Sequence, residues 1–316
     1  MRRGPRLLAS VGLLAMLGAS LLACGSDDSA SEGSGSSADS GVVPEEVATY
    51  EEPGPHAVEQ LTVTVDRTEG PAEVRIWAPT DGDTGPRPLL TYAHGLGLSA
   101  ADHDRELSHA ASWGFVTAAP EKAKDVDLVE LAGQLYEAAG DPDSALNGRI
   151  GADEPLLVGG MSQGTGYAAT SAAAAPDDVS GVLLVSGGGA PAAGGTGAVP
   201  TMILAGGRDP AMSSWMEPGF EATEGPATLV VVEDAGHSSF SAACTSEERE
   251  AMVGANPEDC APVEVGEEAL WPTIDHTIVA FLRWATGQDS SAAALSEEVV
   301  GSLGASVTVS GDLDSE

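Results

Sequence analysis

A serine flanked by glycines is the first group in this chain that could act as a nucleophile. Ser162 lies in Gly160-Met-Ser-Gln-Gly164, which matches the pattern G-x-S-x-G. The apolar stretch Leu156 to Gly159 precedes the motif and the alanine-rich stretch Gln163 to Ala175 follows it. This context predicts a sharp turn between a buried strand and a helix, where the glycines leave room for a strained backbone. The alternative is an ordinary loop serine that matches by chance in a chain with 40 glycines.

A serine hydroxyl is a weak nucleophile until a neighbouring base accepts its proton. Among six histidines, His237 is the best candidate because it follows a buried strand, Ala227 to Val232, and directly follows a glycine. The alternative for His237 is a solvated loop histidine. The other histidines lie before the first strand, at the end of an early strand or on predicted helices; they are His56, His94, His103, His109 and His276.

An acid that orients the base should lie between Ser162 and His237 in the chain. Asp209 follows the strand Thr201 to Ala205, and sites form at the carboxyl ends of parallel strands. The loop after the preceding strand contains no acid. Two further acids are too close to the histidine in sequence to reach the far nitrogen of its ring easily; they are Glu233 and Asp234. We therefore predict that Asp209 fixes the tautomer of His237.

Two backbone N–H groups are predicted to stabilise a developing oxyanion. One belongs to Gln163, directly after the nucleophile, and the other to Leu96 in the turn His94-Gly-Leu-Gly97. The side chain of Leu96 would then line the acyl site. The alternative for this segment is a plain glycine turn.

The elements that must position these residues alternate between strands and helices. Two strands with alternating polar and apolar residues come first, and uniformly apolar strands typical of a buried parallel sheet follow. The predicted strands are Leu61–Val65, Ala72–Trp77, Leu89–Ala93, Phe115–Ala119, Pro155–Val158, Gly181–Val185, Thr201–Ala205 and Ala227–Val232. The predicted helices are Ala101–Trp113, Val126–Ala139, Gln163–Ala175 and Glu268–Thr286. This alternation predicts an α/β fold with a mostly parallel, doubly wound sheet.

The charge of the chain excludes some partners. Asp and Glu number 49 against 13 Lys and Arg, which gives a formal net charge of -36. Such a surface repels phosphate backbones, so we expect no nucleic-acid partner. It also repels anionic lipid headgroups, so attachment to a membrane would need a covalent or apolar anchor. An ordinary solvated surface and a salt-adapted one are both consistent with this composition.

The N-terminus offers such an anchor. Three arginines lie within the first six residues, and the uncharged apolar stretch Leu7 to Leu22 follows. The sequence Leu21-Leu-Ala-Cys24 resembles the lipobox of bacterial lipoproteins, which implies lipid transfer to Cys24 and cleavage before it. The protein would then be exported and anchored by lipid at the outer face of the bacterial cell membrane. The alternative is an uncleaved transmembrane helix, for which the apolar stretch is short.

The two remaining cysteines are predicted to form a disulfide. Export places Cys244 and Cys260 in an oxidising compartment, and lipid on Cys24 leaves them as the only possible pair. Neither has a histidine or a second cysteine at metal-ligand spacing, so no metal site is predicted.

Five segments, in this order, resemble the dienelactone-hydrolase-like and chlorophyllase-like branch of the α/β-hydrolases, to which bacterial cutinases and polyester hydrolases are related. They are Pro88–Gly97, Trp113–Pro120, Gly160–Gly164, Gly206–Asp209 and Gly236–Phe240. The resemblance covers about Leu61 to Thr286. It implies hydrolysis of carboxylic esters through an acyl-enzyme, with neither a metal nor an organic cofactor.

The chain departs from these relatives at three points. Met161 precedes the nucleophile where histidine is common, and serine stands where true dienelactone hydrolases carry cysteine. Polyester hydrolases place a tryptophan after the sixth strand, whereas residues 186–195 here contain no aromatic residue. These departures concern the choice of substrate rather than the chemistry.

The predicted organisation has four parts. Residues 1–23 form the signal peptide, 24–46 a flexible tether, 47–287 the α/β-hydrolase domain without a cap, and 288–316 a loose acidic tail rich in Ser and Ala. The predicted function is a serine carboxylic-ester hydrolase that acts on small neutral esters. A non-catalytic binding lipoprotein and a serine peptidase on the same fold are the alternatives, and nothing in the sequence indicates an oligomeric state.

Overall fold

One mixed β-sheet of nine strands forms the centre of the protein. The computed structural model describes residues 47–67, 70–82, 85–190, 195–245, 259–262, 264–311 and 313. The strands are β1 Val58–Arg67, β2 Gly70–Pro79, β3 Leu89–Ala93, β4 Val116–Pro120, β5 Leu156–Met161, β6 Gly181–Val185, β7 Thr201–Gly206, β8 Ala227–Val232 and β9 Ala305–Ser310. Their spatial order is β1-β2-β4-β3-β5-β6-β7-β8-β9. The six strands from β4 to β8 in this order are parallel, and β1, β2 and β9 pair antiparallel at the two sides.

Helices cover both faces of the sheet. They are α1 Asp104–Ser112, α2 Leu128–Ala139, α3 Gln163–Ala174, α4 Glu217–Glu221, α5 Trp271–Ala285 and α6 Glu297–Ser302. Successive strand residues point to opposite faces, so Leu89 packs in the core under α2 and α3 while Leu90 packs in the core under α1 and α5. Because the central strands are buried on both faces, they are mostly apolar in sequence, as the α/β prediction requires.

The predicted α/β class and mostly parallel sheet are confirmed, and each of the eight predicted strands has its counterpart. The expectation of a loose tail after Gly287 is wrong, because helix α6 and strand β9 lie in that segment. Strand β9 pairs antiparallel with β8 from Ala305 opposite Val232 to Ser310 opposite Ala227. Its composition of Ala, Ser, Thr and Val gave little apolar signal, since most of its side chains are not buried and the pairing with β8 stabilises it.

Several predictions concern residues that the structure does not describe. The signal peptide, Cys24 and the tether all lie outside the described residues. Within the part of the chain that is described, no helix combines the length and apolarity needed to cross a membrane.

Candidate active site

Ser162 occupies a strained turn between β5 and α3. Its backbone has φ 51° and ψ −119°, a region that residues with a side chain rarely adopt. A Cβ on Gly164 would lie 1.9 Å from the carbonyl oxygen of Ala93, and one on Gly160 would lie 2.5 Å from the backbone of Gly164. Both glycines of the motif are therefore required, because the turn brings backbone against backbone at these two positions.

The structure brings the three residues of the predicted triad together. The Oγ of Ser162 lies 2.9 Å from Nε2 of His237, and Nδ1 of His237 lies 2.7 Å from Oδ2 of Asp209. The second carboxylate oxygen of Asp209 accepts a hydrogen bond of 2.8 Å from the N–H of Ala211. The carboxylate is fully buried, whereas the imidazole is 25% exposed. The acid is thus fixed in place and the base faces the solvent side of the site.

Glycines hold the loop of the acid against the loop of the base. A Cβ on Gly206 would lie 2.4 Å from the carbonyl oxygen of Ala235, and one on Gly207 would lie 2.6 Å from that of Glu233. The N–H of Arg208 donates to the same Ala235 carbonyl at 3.0 Å. The carboxyl ends of β7 and β8 can approach this closely only because no side chain intervenes, and this approach brings Asp209 within reach of the imidazole.

The environment makes His237 a stronger base. Burial lowers the pKa of His237, but the hydrogen bond and charge of Asp209, together with the charge of Asp259, raise it, and the net pKa lies above the ordinary 6.5. With Nδ1–H donated to Asp209, Nε2 is free to accept the proton of the Ser162 hydroxyl. This is the protonation state that activation of a serine requires.

The turn after β3 carries one of the two predicted oxyanion donors. The N–H of Leu98 donates to the carbonyl of Gly95 at 3.2 Å, and Gly97 has φ +80°, as the third residue of such a turn requires. His94 braces the turn, because its Nδ1–H donates to the Gly95 carbonyl at 3.0 Å and its Nε2 accepts from the N–H of Ala123 at 3.2 Å. His94 therefore supports the loop instead of acting as the base.

The two predicted oxyanion donors lie beside the nucleophile. A Cβ on Gly95 would be 3.2 Å from the Cβ of Ser162, so the turn that carries Leu96 passes directly against the serine. Gln163 is the first residue of α3, where a backbone N–H has no partner inside the helix. Within the described ranges, neither the N–H of Leu96 nor that of Gln163 donates a hydrogen bond. Both remain predicted donors.

The other histidines have structural partners. His276 lies in α5, where its Nε2–H donates to the carbonyl of Ala294 and its Nδ1 accepts from the N–H of Tyr50. The remaining contacts are His56 with Asp81, His103 with Glu106 and His109 with the carbonyl of Tyr50. These contacts engage the side chains of the other histidines away from Ser162. His237 is therefore the histidine that can accept the proton of Ser162.

A small pocket of about 110 Å³ opens at Ser162. Its walls include the predicted Leu96 and Met161. The full lining is Gly95, Leu96, Leu98, Met161, Ser162, His237, Ser238, Ala243 and Asp259. The glycine loop after β6 lies behind the nucleophile, where a Cβ on Gly187 would be 3.0 Å from the carbonyl oxygen of Ser162, although none of its described residues lines this pocket.

The predicted disulfide between Cys244 and Cys260 is confirmed. It joins residues whose Cα atoms are 5.8 Å apart and whose side chains are buried. Directly before Cys260, the carbonyl of Asp259 accepts a hydrogen bond of 2.7 Å from the N–H of Ser238, which holds Asp259 against the loop of the base. Sequence analysis missed Asp259, although its position directly before Cys260, combined with the predicted bond to Cys244, could have placed it near His237.

One cluster of potential metal ligands occurs among the described residues, formed by Cys244, Cys260 and Glu267. Both sulfur atoms belong to the disulfide, so they offer no thiolate to a metal ion. One oxygen of Glu267 accepts a hydrogen bond of 2.7 Å from the N–H of Ala261. These three residues therefore stabilise the loop that contains the disulfide.

Comparison with known proteins gives no family for this chain. No protein-family model matches it, and no curated protein is significantly similar to it.

Proposed function

We propose that this protein is a serine hydrolase that cleaves carboxylic esters through an acyl-enzyme. The observation that carries the proposal is the unbroken pair of hydrogen bonds from Ser162 through His237 to Asp209, at 2.9 and 2.7 Å. The strained turn at Ser162 supports it, because such strain persists where it serves a site. The nine-stranded mixed sheet is compatible with the α/β-hydrolase fold, and the sequence motifs favour its dienelactone-hydrolase-like and chlorophyllase-like branch.

In the first half of the reaction, the Oγ of Ser162 attacks the carbonyl carbon of the ester. The hydroxyl proton passes to Nε2 of His237, and the imidazolium is stabilised by the buried carboxylate of Asp209. The N–H groups of Leu96 and Gln163 bind the negative oxygen of the tetrahedral intermediate. The bond to the alcohol oxygen then breaks, and His237 returns the proton to that oxygen, so the alcohol leaves and the acyl group stays on Ser162.

In the second half, water enters the place that the alcohol has left. His237 removes a proton from the water as the water oxygen attacks the acyl carbon, and a second tetrahedral intermediate forms at the same donors. When the bond to Ser162 breaks, His237 returns the proton to the serine oxygen. The products are a carboxylic acid and the original enzyme, and every proton moves through one nitrogen atom.

The pocket favours small substrates. A volume of about 110 Å³ beside Ser162 holds only a short acyl group, and Leu96, 81% exposed, is the large apolar side chain at its rim. A longer acyl chain would lie over an acidic surface and gain little apolar contact. The connection from Val185 to Thr201 is too short to contain a helical cap that could extend the site. We expect neutral acetate and butyrate esters to be preferred to palmitate.

The test is a series of p-nitrophenyl esters from acetate to palmitate, together with a peptide p-nitroanilide. Ser162→Ala should abolish turnover, and Asp209→Asn should lower it by about 10⁴-fold because His237 would then adopt the wrong tautomer. Ser302→Ala, an exposed serine on α6, is the matched control and should hydrolyse at the wild-type rate. A binding protein would hydrolyse none of these compounds at a Ser162-dependent rate, and a peptidase would prefer the anilide.

The proposed location is the outer face of the bacterial cell membrane, with lipid on Cys24 as the anchor. This proposal is supported by the sequence at Leu21-Leu-Ala-Cys24 and by the Gly- and Ser-rich stretch that follows. Mass spectrometry of the mature N-terminus tests it. Diacylglycerol on an N-terminal Cys24 is expected, and another mature N-terminus would exclude the anchor. Cys24→Ser should abolish both the lipid and the cleavage.

A further inference from the structure

The carbonyl oxygen of Ser162 is held by the first turn of α3. Thr165, three residues after the nucleophile, is fully buried, and its Oγ1 lies 2.7 Å from this oxygen. The N–H of Thr165 donates to the same oxygen at 3.1 Å. On the other side, the N–H of Ser162 donates to the carbonyl of Val185 at 2.9 Å. The strained backbone of the nucleophile is therefore hydrogen-bonded both before and after its Cα.

The direction of the hydroxyl hydrogen bond follows from the two partners of Thr165 Oγ1. The N–H of Gly189, in the loop after β6, lies 3.3 Å from Oγ1 and can only donate. The carbonyl oxygen of Ser162 can only accept. The hydroxyl of Thr165 therefore accepts from Gly189 and donates its single proton to Ser162.

The loop after β6 keeps this hydroxyl in place. A Cβ on Gly187 would lie 2.5 Å from Thr165 Oγ1, so the loop can close on the threonine only because this residue is a glycine. Trp215 supports the loop, because its Nε1–H donates to the carbonyl of Gly189 at 3.2 Å. A continuous series of hydrogen bonds thus runs from Trp215 through Gly189 and Thr165 to the carbonyl of Ser162.

The carbonyl of Ser162 shares its peptide group with a predicted oxyanion donor. The peptide bond from Ser162 to Gln163 is planar and trans, so its C=O and its N–H point in opposite directions. A hydrogen bond that fixes the direction of the oxygen therefore also fixes the direction of the Gln163 N–H. The same bond polarises the peptide group, which makes the N–H a stronger donor.

We propose that Thr165 is a positioning residue for the oxyanion site. Its hydroxyl holds the peptide group between Ser162 and Gln163 in the orientation in which the Gln163 N–H binds the negative oxygen of the tetrahedral intermediates. The proposal rests on the proposed esterase function and adds to it a residue that does not line the pocket. Threonines in helices often donate to the carbonyl three or four residues earlier. Here that carbonyl belongs to the nucleophile, so the bond acts on catalysis.

Three variants test the proposal. Thr165→Val removes the hydroxyl and keeps the shape, Thr165→Ser keeps the hydroxyl, and Thr170→Val removes a hydroxyl from an exposed position on the same helix. For each protein, kcat/KM for p-nitrophenyl acetate is measured per active site, and active sites are counted by complete labelling with a fluorophosphonate. The inhibition constant of butylboronic acid is measured in parallel, because its tetrahedral adduct with Ser162 places a boronate oxygen at the oxyanion donors.

In Thr165→Val, kcat/KM per active site should fall about 10- to 30-fold, which is a part of the about 10²- to 10³-fold that loss of a whole oxyanion donor costs. The inhibition constant of the boronic acid should rise by a similar factor, since a transition-state analogue uses the same donors. Thr165→Ser should restore most of both values, and Thr170→Val should leave both at the wild-type level.

A purely structural role of Thr165 gives a different result. Thr165→Val would then lower the number of labelled sites or the thermal midpoint, while kcat/KM per labelled site and the inhibition constant kept their wild-type values. That result would overturn the proposal, as would an equal loss of kcat/KM in Thr165→Val and Thr165→Ser.

A further variant keeps the proposal testable if valine prevents folding. Thr165→Ala also removes the hydroxyl, and it places one more alanine in a helix already rich in alanine. The same loss of kcat/KM and the same weaker inhibition are expected, and wild-type values would overturn the proposal. Failure of the underlying function looks different, because then the wild type itself hydrolyses no ester in a Ser162-dependent way.

Discussion

Removing the disulfide should lower the free energy of unfolding by a predictable amount. Cys244 and Cys260 are separated by 16 positions, and cross-linking a loop of that size is worth about 3 kcal/mol through the entropy of the unfolded chain. The sulfur atoms are buried, so their loss from packing adds to this figure in Cys244→Ala/Cys260→Ala. A loss of about 3 kcal/mol corresponds to a decrease of roughly 6–12 °C in the thermal midpoint of a domain this large.

Urea unfolding of the wild type and of the double variant, each with and without reductant, measures this loss. Reductant should destabilise the wild type and leave the double variant unchanged. The double variant should also hydrolyse esters more slowly, because Asp259 and Ser238 share the hydrogen bond that the disulfide holds in place. Free energies of unfolding that agree within about 0.5 kcal/mol would refute the reasoning, as would an equal effect of reductant on both proteins.

Three further predictions follow from the backbone, the base and the last strand. Gly164→Ala should lower the free energy of unfolding by about 3 kcal/mol or more, because the new Cβ would lie 1.9 Å from the carbonyl oxygen of Ala93. Gly166→Ala should not lower it, because no atom lies nearer than 3.9 Å to its new Cβ. Urea unfolding of both variants measures the difference. Since His237 must be neutral to accept a proton and its pKa is raised, kcat/KM should decline on the acid side of a midpoint above 6.5; a pH profile with a lower midpoint contradicts this. Truncation after Gly304 removes β9 and exposes the edge of β8, so the shortened chain should melt earlier or aggregate, and an unchanged thermal midpoint would show that β9 is dispensable.

The parts of the fold that could be predicted have a local signal. Strands β3 to β8 are short apolar runs between turns, which identifies them without knowledge of their partners. Ser162 could be assigned because its turn demands glycine on both sides, and Asp209 because the chain contains few acids at the carboxyl ends of the strands. In each case the chemistry of one short segment limits the possible structures.

The parts that could not be predicted depend on contacts between distant segments. Strand β9 is weakly apolar and forms against β8, some 80 residues earlier in the chain. Asp259 lies in a segment without periodicity, and its place at the pocket depends on the bond between its neighbour Cys260 and Cys244 and on the hydrogen bond from Ser238. No pattern within these segments indicates such partners.

The most direct test of the account is covalent labelling of the native protein with a fluorophosphonate, followed by intact mass measurement and peptide mapping. The hydrogen-bonded chain from Asp209 to Ser162 predicts one adduct per protein, located on Ser162. The adduct should be absent from Ser162→Ala and form much more slowly in Asp209→Asn. An adduct on a different serine, or ester hydrolysis that survives Ser162→Ala, would contradict the central claim that Ser162 is the nucleophile.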